Sequence, residues 1–225
     1  MTRARKIARL CLLLAFAQAC QIEAPFARTN PFDSGGSATL TLAGPDSVHA
    51  MAQRFTLDLQ SSLGPIDEEA FVAWDAVERN VLPLANGEFI VHLASAQYVP
   101  VHVSAVLDRV IVGHTVFVGQ RAASFDVSCA PGVLVVPCST LLTIGGRRDA
   151  WLLLYDANLR SVNDAPFALA RAGNSVVSRD PAVAQATLIP GAFAPLQLTA
   201  VGIGSTWLVL TVDDAVDSLY IEVTP

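Results

Sequence analysis

The sequence predicts an all-β fold built from two tandem β-sandwich domains. Hydrophobic residues make up 52% of the 225-residue chain and charged residues only 15%, which excludes a disordered chain and supplies a large core. The apolar residues come in short runs separated by Gly, Pro, Asp and Asn, a pattern typical of strands rather than long helices. The same series of runs and breaks occurs twice along the chain.

The charge of the chain argues against two classes of partner. The formal charge is −6 at pH 7, and residues 1–19 contain four basic residues and no acidic one, so the remainder is more acidic still. Without a basic cluster in that remainder, we expect no binding to nucleic acid or to anionic lipid head groups. No apolar run beyond the N-terminus approaches the ~20 residues that a membrane-spanning helix needs.

Residues 1–19 are predicted to be a signal peptide. A basic stretch at residues 3–9 precedes an apolar run at residues 10–17, and Ala17-Gln18-Ala19 supplies the small residues at which such peptides are cleaved. The apolar run is too short to span a membrane. We therefore expect an exported protein.

Cys20 follows the cleavage site, and the segment Ala17-Gln18-Ala19-Cys20 resembles the lipobox of bacterial lipoproteins. In that class, cleavage leaves a diacylglycerol-modified cysteine at the mature N-terminus, although ordinary signal cleavage would cut the same bond. Lipidation accounts for an otherwise unpaired thiol in an oxidising compartment. Residues 20–37, with several Pro, Gly and Ser, suit a flexible tether. The resemblance, with Gln21 rather than Asp after the cysteine, implies an outer-membrane lipoprotein, either periplasmic or surface-exposed.

Residues 38–119 are predicted to form the first sandwich. Residues 54–59 alternate clearly, with Phe55, Leu57 and Leu59 on one face. About seven short strands fit into about eighty residues, the density of an immunoglobulin-like sandwich. The clearest strands are predicted at residues 38–42, 54–59, 71–74, 88–93, 98–106 and 110–118.

Residues 120–225 are predicted to form the second sandwich, after a boundary at residues 119–122. Gly145-Gly146 breaks the pattern between strands, and residues 156–165 are predicted to be a polar loop. The predicted strands are residues 124–128, 140–144, 151–155, 175–178, 182–188, 196–201, 206–212 and 218–223. The last two correspond in pattern to the last two strands of the first half, although few letters are identical.

The second half resembles bacterial Ig-like domains of the group 2, invasin-like kind. Asp180-Pro181-Ala182-Val183-Ala184 matches the family's Ser-x-Asp-Pro-x-Val-Ala segment, and Gly204-Ser205-Thr206 matches its glycine turn before a strand. In the first half Trp74 stands where the family often has a strand tryptophan, and in the second half Val177 takes that place. The resemblance implies Ig-like domains, which are mostly spacers and binding modules.

Cys129 and Cys138 are predicted to form a disulfide. With Cys11 in the signal peptide and Cys20 lipidated, they are the remaining thiols of an exported chain. The bond would close a loop of about ten residues. A redox centre would more often have the spacing Cys-x-x-Cys, and a zinc site would need further ligands nearby.

No metal site and no cofactor are predicted. His92 and His102 lie in predicted strands without a third ligand at a suitable spacing, and we expect both to point outward beside buried valines. Asp213, Asp214 and Asp217 do not match a calcium-loop motif, and we expect a solvated hairpin tip there.

The sequence also lacks the common catalytic patterns. Gly202-Ile203-Gly204-Ser205 lacks the final glycine and the helix of a nucleophile elbow, and no phosphate loop or dinucleotide fingerprint occurs. Trp74, Trp151 and Trp207 would stack against sugars only if exposed, and their apolar surroundings predict core positions.

These observations predict a non-catalytic, exported, lipid-anchored protein of the cell envelope that acts as an interaction, adhesion or spacer module. Its expected partners are the membrane, through the anchor, and an unknown envelope protein or glycan. An envelope carbohydrate-binding module is the alternative function, and an envelope hydrolase with an unfamiliar site is a third.

Overall fold

The computed structural model describes residues 39–62, 64, 66, 72–107, 110–130, 138 and 140–225. The predicted signal peptide, the tether and Cys20 lie outside the described residues. Strands dominate the described part, which contains one short helix, α1 (Ala165–Leu169). No helix in this part is long and apolar enough to cross a membrane.

The strands fall into two series along the chain. The first series is β1 (Leu40–Ala43), β2 (Ser47–Val48), β3 (Arg54–Thr56), β4 (Asp58–Ser61), β5 (Val72–Ala76), β6 (Val81–Pro83), β7 (Glu88–Val91), β8 (Val99–Leu107) and β9 (Val110–Val118). The second series is β10 (Ser124–Ser128), β11 (Leu141–Thr143), β12 (Arg147–Tyr155), β13 (Ser175–Ser178), β14 (Ala184–Leu188), β15 (Leu196–Ala200), β16 (Gly204–Val212) and β17 (Ala215–Thr224).

Both series have the strand order of an immunoglobulin-like sandwich. In the second, a sheet of order β10-β12-β15-β14 faces one of order β11-β17-β16-β13. In the first, β2-β9-β8-β5 faces a layer made of β1-β4 and β3-β7-β6. If β3 and β4 count as one interrupted strand, both halves reproduce the A-B-E-D and C-F-G sheets. A short extra strand, β2 or β11, pairs in parallel with the last strand of each half. The predicted fold class is confirmed.

Each sandwich has its own hydrophobic core, supplied by alternate residues of the facing strands. In the first half Phe89 from one layer meets Val101 and Val116 from the other, and all three are fully buried. In the second half Leu198 and Leu208 come from opposite sheets and are likewise buried. Each such side chain contributes about 1.5–3 kcal/mol of burial free energy relative to an exposed position.

The strand that was predicted at residues 54–59 is interrupted at Leu57. The Leu57 side chain is fully buried, and its backbone N–H donates to the carbonyl oxygen of Gly87 at 2.9 Å. Gly87 has a φ of 74°, and a Cβ added there would lie 2.4 Å from the carbonyl oxygen of Leu57. Only glycine allows the two backbones to approach this closely.

Cys129 and Cys138 are linked by the predicted disulfide, with their Cα atoms 4.8 Å apart. Both cysteines pack against the second core. The bond follows directly after β10 and therefore closes the connection between the two sheets of the second sandwich.

Several local predictions were wrong. β12 begins at Arg147 instead of residue 151, because its first three residues are Arg, Arg and Asp and show no apolar alternation. The two-residue β2 and the three-residue β6 were not predicted, since strands this short show no period. α1 starts at the end of the predicted polar loop. Finally, the register places Val176 on the core side of β13, so Val176 and not Val177 takes the position that Trp74 has in β5.

Candidate functional site

A network of buried polar side chains joins the two sandwiches; we call it the polar joint. Its centre is Asp156, which follows β12 and is 0% exposed. One carboxylate oxygen accepts hydrogen bonds from the backbone N–H of Met51 and the side-chain amide of Gln120, each at 2.9 Å. The other accepts from the backbone N–H groups of Asn158 and Arg160. Four donors thus satisfy both oxygens of the buried carboxylate, as burial of a polar group requires.

Gln120 lies between the two halves in sequence and in space, and it is also 0% exposed. Its amide nitrogen donates to Asp156 and to the carbonyl of Ser161, and its amide oxygen accepts from the N–H of Asn163 at 3.0 Å. Its backbone N–H donates to the carbonyl of Ser95 in the first half at 2.7 Å. These bonds satisfy the side chain and the backbone N–H of Gln120, as burial requires, and leave its backbone carbonyl oxygen.

That carbonyl is paired by Arg171, which completes the polar joint just after α1. Its Nη2 donates to the carbonyl oxygen of Gln120 at 2.8 Å and to that of Ala96, while its Nη1 forms an ion pair with Asp213 at 2.5 Å. The Asp213 side chain is 2% exposed and also accepts from the N–H of Ala122. A buried ion pair of this kind is retained only when its remaining donors and acceptors are satisfied.

The position of Asp213 corrects one prediction. The turn between β16 and β17 is a hairpin tip, as expected, but it is not solvated at Asp213. A φ of 51° turns the chain there, and the backbone N–H donates to the side-chain oxygen of Asn174 at 2.7 Å. Its carboxylate consequently points into the polar joint, whereas Asp214 and Asp217 are exposed.

A cleft lies beside the polar joint on the outer face of the first sandwich; we call it the joint cleft. It has a volume of 510 Å³ and is lined by Asp46, Ser47, His49, Tyr98, Phe117, Arg121 and Arg171. The guanidinium of Arg171 lies over the Tyr98 ring, 5.6 Å from its centre. The joint cleft therefore shares Arg171 with the polar joint.

The surroundings of the joint cleft shift the pKa of two of its ionisable groups. Burial, and then the positive charge of Arg121, lower the pKa of His49, whereas burial raises the pKa of Tyr98. A hydrogen bond of 2.6 Å joins Nδ1 of His49 to the Tyr98 hydroxyl. Arg121 forms an ion pair with Asp214 at 2.9 Å.

The predicted histidine positions are confirmed, and the structure separates the two residues. His92 and His102 are both exposed; His92 follows β7 in one sheet and His102 lies in β8 of the other. Nδ1 of His102 contacts a carboxylate oxygen of Glu78 at 3.0 Å. Across the described residues, no group of three or more His, Cys, Asp or Glu side chains has the geometry to hold a metal ion.

The three tryptophans differ in exposure, and of the three only Trp74 has the predicted core position. Trp74 packs against the first core and meets the Phe89 ring edge-to-face. Trp151 is partly buried under Phe193. Trp207 is 43% exposed and packs against Tyr220, because Thr206 and Leu208 on either side take the inward positions of β16.

Comparison with known sequences gives no family assignment. No protein-family model matches the chain. No curated protein matches it either.

Solved structures of surface proteins resemble the chain at the level of its backbone. Domains 4 and 5 of the S-layer protein SbsC align over 83% of this chain and 98% of theirs, with 14% identity and a TM-score of 0.34. A C-terminal fragment of intimin, solved with the intimin-binding domain of the translocated intimin receptor, has 15% identity and a TM-score of 0.41. Invasin, a bacterial integrin-binding protein, has 18% identity and a TM-score of 0.39.

The coverage of these structures is unequal. The intimin and invasin alignments each take in 83% of this chain, but they span 64% of the intimin fragment and 40% of invasin. At these identities and TM-scores the likenesses carry no argument about function. The assignment of the fold rests on the strand order itself.

Proposed function

We propose that the chain is an exported, lipid-anchored, non-catalytic protein of the cell envelope whose two Ig-like domains act as an interaction, adhesion or spacer module. The observation that carries this proposal is the polar joint. Asp156, Gln120 and Arg171 each form a hydrogen bond to the first half, and the first two are fully buried. Satisfied buried networks make an interface rigid, whereas domains without such an interface move relative to each other. A rigid pair of domains suits a module that holds a surface at a set distance from the membrane.

The proposed domain boundaries divide the chain into four parts. Residues 1–19 are the signal peptide, residues 20–37 the tether, residues 38–119 the first sandwich and residues 120–225 the second. The buried residues of the first core end at Val118, which supports a boundary directly after it. Gln120 then belongs to the polar joint itself.

The anchor is tested by metabolic labelling with a palmitate analogue in the native host. We expect label on the wild-type protein and none on the Cys20→Ser variant, because the thioether and amide bonds both depend on that cysteine. Release of the variant from the membrane fraction accompanies the loss of label. A wild-type protein without label contradicts the anchor and leaves an exported protein without a lipid.

The interaction role is tested by crosslinking in intact cells with a photoreactive amino acid. We place it at Trp207, on one outer sheet face of the second sandwich, and at Phe193, which is 80% exposed on the opposite side. A partner-binding module gives a discrete adduct to an envelope protein or glycan from one position and not from the other. Equal, diffuse labelling from both positions contradicts a specific partner.

Carbohydrate binding is the second candidate function, and exposed aromatic rings favour it. Trp207 and Tyr220 are 43% and 37% exposed, with ring centres 5.1 Å apart, and Phe117 is 48% exposed at the edge of the joint cleft. Titration with envelope glycans should give a saturable change in tryptophan fluorescence if Trp207 is the contact. In the Trp207→Phe variant Trp74 and Trp151 remain, so a fluorescence change that disappears in this variant comes from Trp207.

A further inference from the structure

One strand of the first sandwich continues into the polar joint with a regular two-sided pattern. Val118 and Gln120 are buried on the core side, whereas Phe117 and Arg121 lie on the other side, with Gly119 between them covered by Tyr98. On that side, parallel pairing with β2 and antiparallel pairing with β8 set Ser47 and Pro100 beside Phe117. The next row contains His49 and Tyr98 on either side of Gly119, because the N–H of Gly119 donates to the carbonyl of Val48.

Gly119 shapes the floor of the joint cleft. A Cβ at this position would lie 2.7 Å from the Tyr98 ring, so the ring lies directly on the backbone. In that place the Tyr98 hydroxyl reaches Nδ1 of His49 across the strand at 2.6 Å. Phe117 and Arg121 stand on either side of this floor, one apolar and the other cationic, two positions away from Gly119 in each direction.

The charges around the joint cleft balance almost completely. Arg121 is paired with Asp214, and Arg171 is paired with Asp213. Asp46 is the remaining charged residue of the lining. With both arginines paired and only Asp46 left over, the cleft gives a polyanionic ligand no electrostatic advantage. A wholly apolar ligand would remove Arg121, Asp214 and His49 from water without replacing their hydrogen bonds, which is costly.

From these contacts we propose that the joint cleft binds one sugar residue of a neutral glycan. This assignment rests on the carbohydrate-binding candidate function and deepens it. One C–H face of the sugar ring packs on the half-exposed Phe117 ring, whose π-face favours such contacts. Neighbouring hydroxyls donate to Asp214 and accept from Arg121, whose five N–H donors are not all used by one ion pair. The volume of 510 Å³ lies in the range of small-molecule sites, which often occur between domains.

The Trp207–Tyr220 pair is the less suitable platform for the same ligand. Its two rings meet at an interplanar angle of 60°, so they do not form one flat surface. The joint cleft adds polar side chains from several elements to a single exposed ring, and this combination fixes the orientation of a sugar.

The test is a titration of the mature protein, followed by two-dimensional amide NMR, with three tetrasaccharides: chitotetraose, maltotetraose and tetragalacturonate. We expect a neutral tetrasaccharide to bind saturably, with a dissociation constant of about 0.1–10 mM for one stacked ring and a few hydrogen bonds. The amide signals of Tyr98, Gly119 and Arg121 should shift. Phe117→Ala should weaken binding about tenfold, the loss of one aromatic contact.

Ile111→Ala is the matched control. Ile111 is 62% exposed on the same face of β9, about 20 Å from Phe117 along the strand, so its removal should change affinity less than twofold. Both variants replace exposed side chains and should keep the wild-type amide spectrum elsewhere. Three results would overturn the proposal: no saturable shift with either neutral tetrasaccharide, binding of tetragalacturonate alone, or equal loss in the two variants. None of them affects the palmitate or crosslinking results, which test the anchor and the interaction role separately.

Discussion

Asp156 shows how a single residue links the two halves of the molecule. Replacing it with Ala leaves the Met51 N–H and one N–H of the Gln120 side-chain amide buried without an acceptor, and we expect the free energy of unfolding to fall by about 2–4 kcal/mol. Urea denaturation followed by circular dichroism measures the change. Asp149→Ala is the control, because Asp149 is exposed at the start of β12 and its loss should cost less than about 0.5 kcal/mol. Equal costs for the two variants would contradict the importance of the polar joint.

His49 gives a second prediction at the residue scale. Because burial and Arg121 lower its pKa in the folded protein, an NMR titration of the ring protons should give a pKa for His49 below 6.5. Arg121→Gln should raise that pKa, while burial keeps it from exceeding the ordinary value. A pKa at or above 6.5 in the wild type contradicts the described environment.

The same shift determines the direction of a stability change with pH. Below pH 6.5 the unfolded chain binds a proton at His49 more readily than the folded chain does. The contribution of His49 to stability is therefore complete above pH 6.5 and is lost as the pH falls through the folded-state pKa. Comparison of unfolding free energies for the wild type and His49→Gln, at pH 7.5 and at pH 5.5, checks the sign.

The sequence did not predict the polar joint, because its contacts join residues that are far apart in the chain. Asp156 meets Met51 across 105 positions, and Arg171 meets Asp213 across 42. In the sequence these residues resemble ordinary loop and turn formers, so Asp213 was predicted to be solvated. The Cys129–Cys138 bond was predictable, because that prediction used only the expected compartment and the number of cysteines and no knowledge of distant contacts.

Among the turns between strands, two glycines with the same φ allow the cost of backbone strain to be measured apart from the cost of a steric clash. Gly87 and Gly145 both have a φ of 74°, but an added Cβ lies 2.4 Å from the Leu57 carbonyl oxygen at Gly87 and meets nothing within 4 Å at Gly145. Gly145→Ala should cost about 1 kcal/mol of strain, and Gly87→Ala about 3 kcal/mol or more. Thermal unfolding of both variants measures the difference. Equal costs would show that the two strands around Leu57 adjust freely.

The strands themselves show what periodicity predicts and where it fails. The long strands β8, β9, β16 and β17 were found because alternation persists over nine or ten residues. β2 and β6 are too short to alternate, and β12 begins with charged residues that alternate without being apolar. Trp207 was predicted to lie in the core because its neighbours are apolar. In β16 it alternates with buried residues and therefore points outward.

At the scale of the whole molecule, the repeated pattern predicted two sandwiches but not how they meet. Turn spacing and the two terminal hairpins were enough to predict the fold class, which the strand order confirms. The contacts between the halves include those of Gln120, Asp156 and Arg171, and none of these residues belongs to a strand pattern. A single joint with satisfied buried groups favours one orientation over a flexible connection.

Residual dipolar couplings can show whether the polar joint makes the two sandwiches one rigid module. Backbone N–H couplings of the mature protein are measured in a dilute aligning medium and fitted separately for residues 39–118 and 122–225. We expect one alignment tensor in the wild type, equal in magnitude and orientation for both halves, and unequal tensors in Asp156→Ala. Two different tensors in the wild type would contradict the claim, because they mean that the halves move independently.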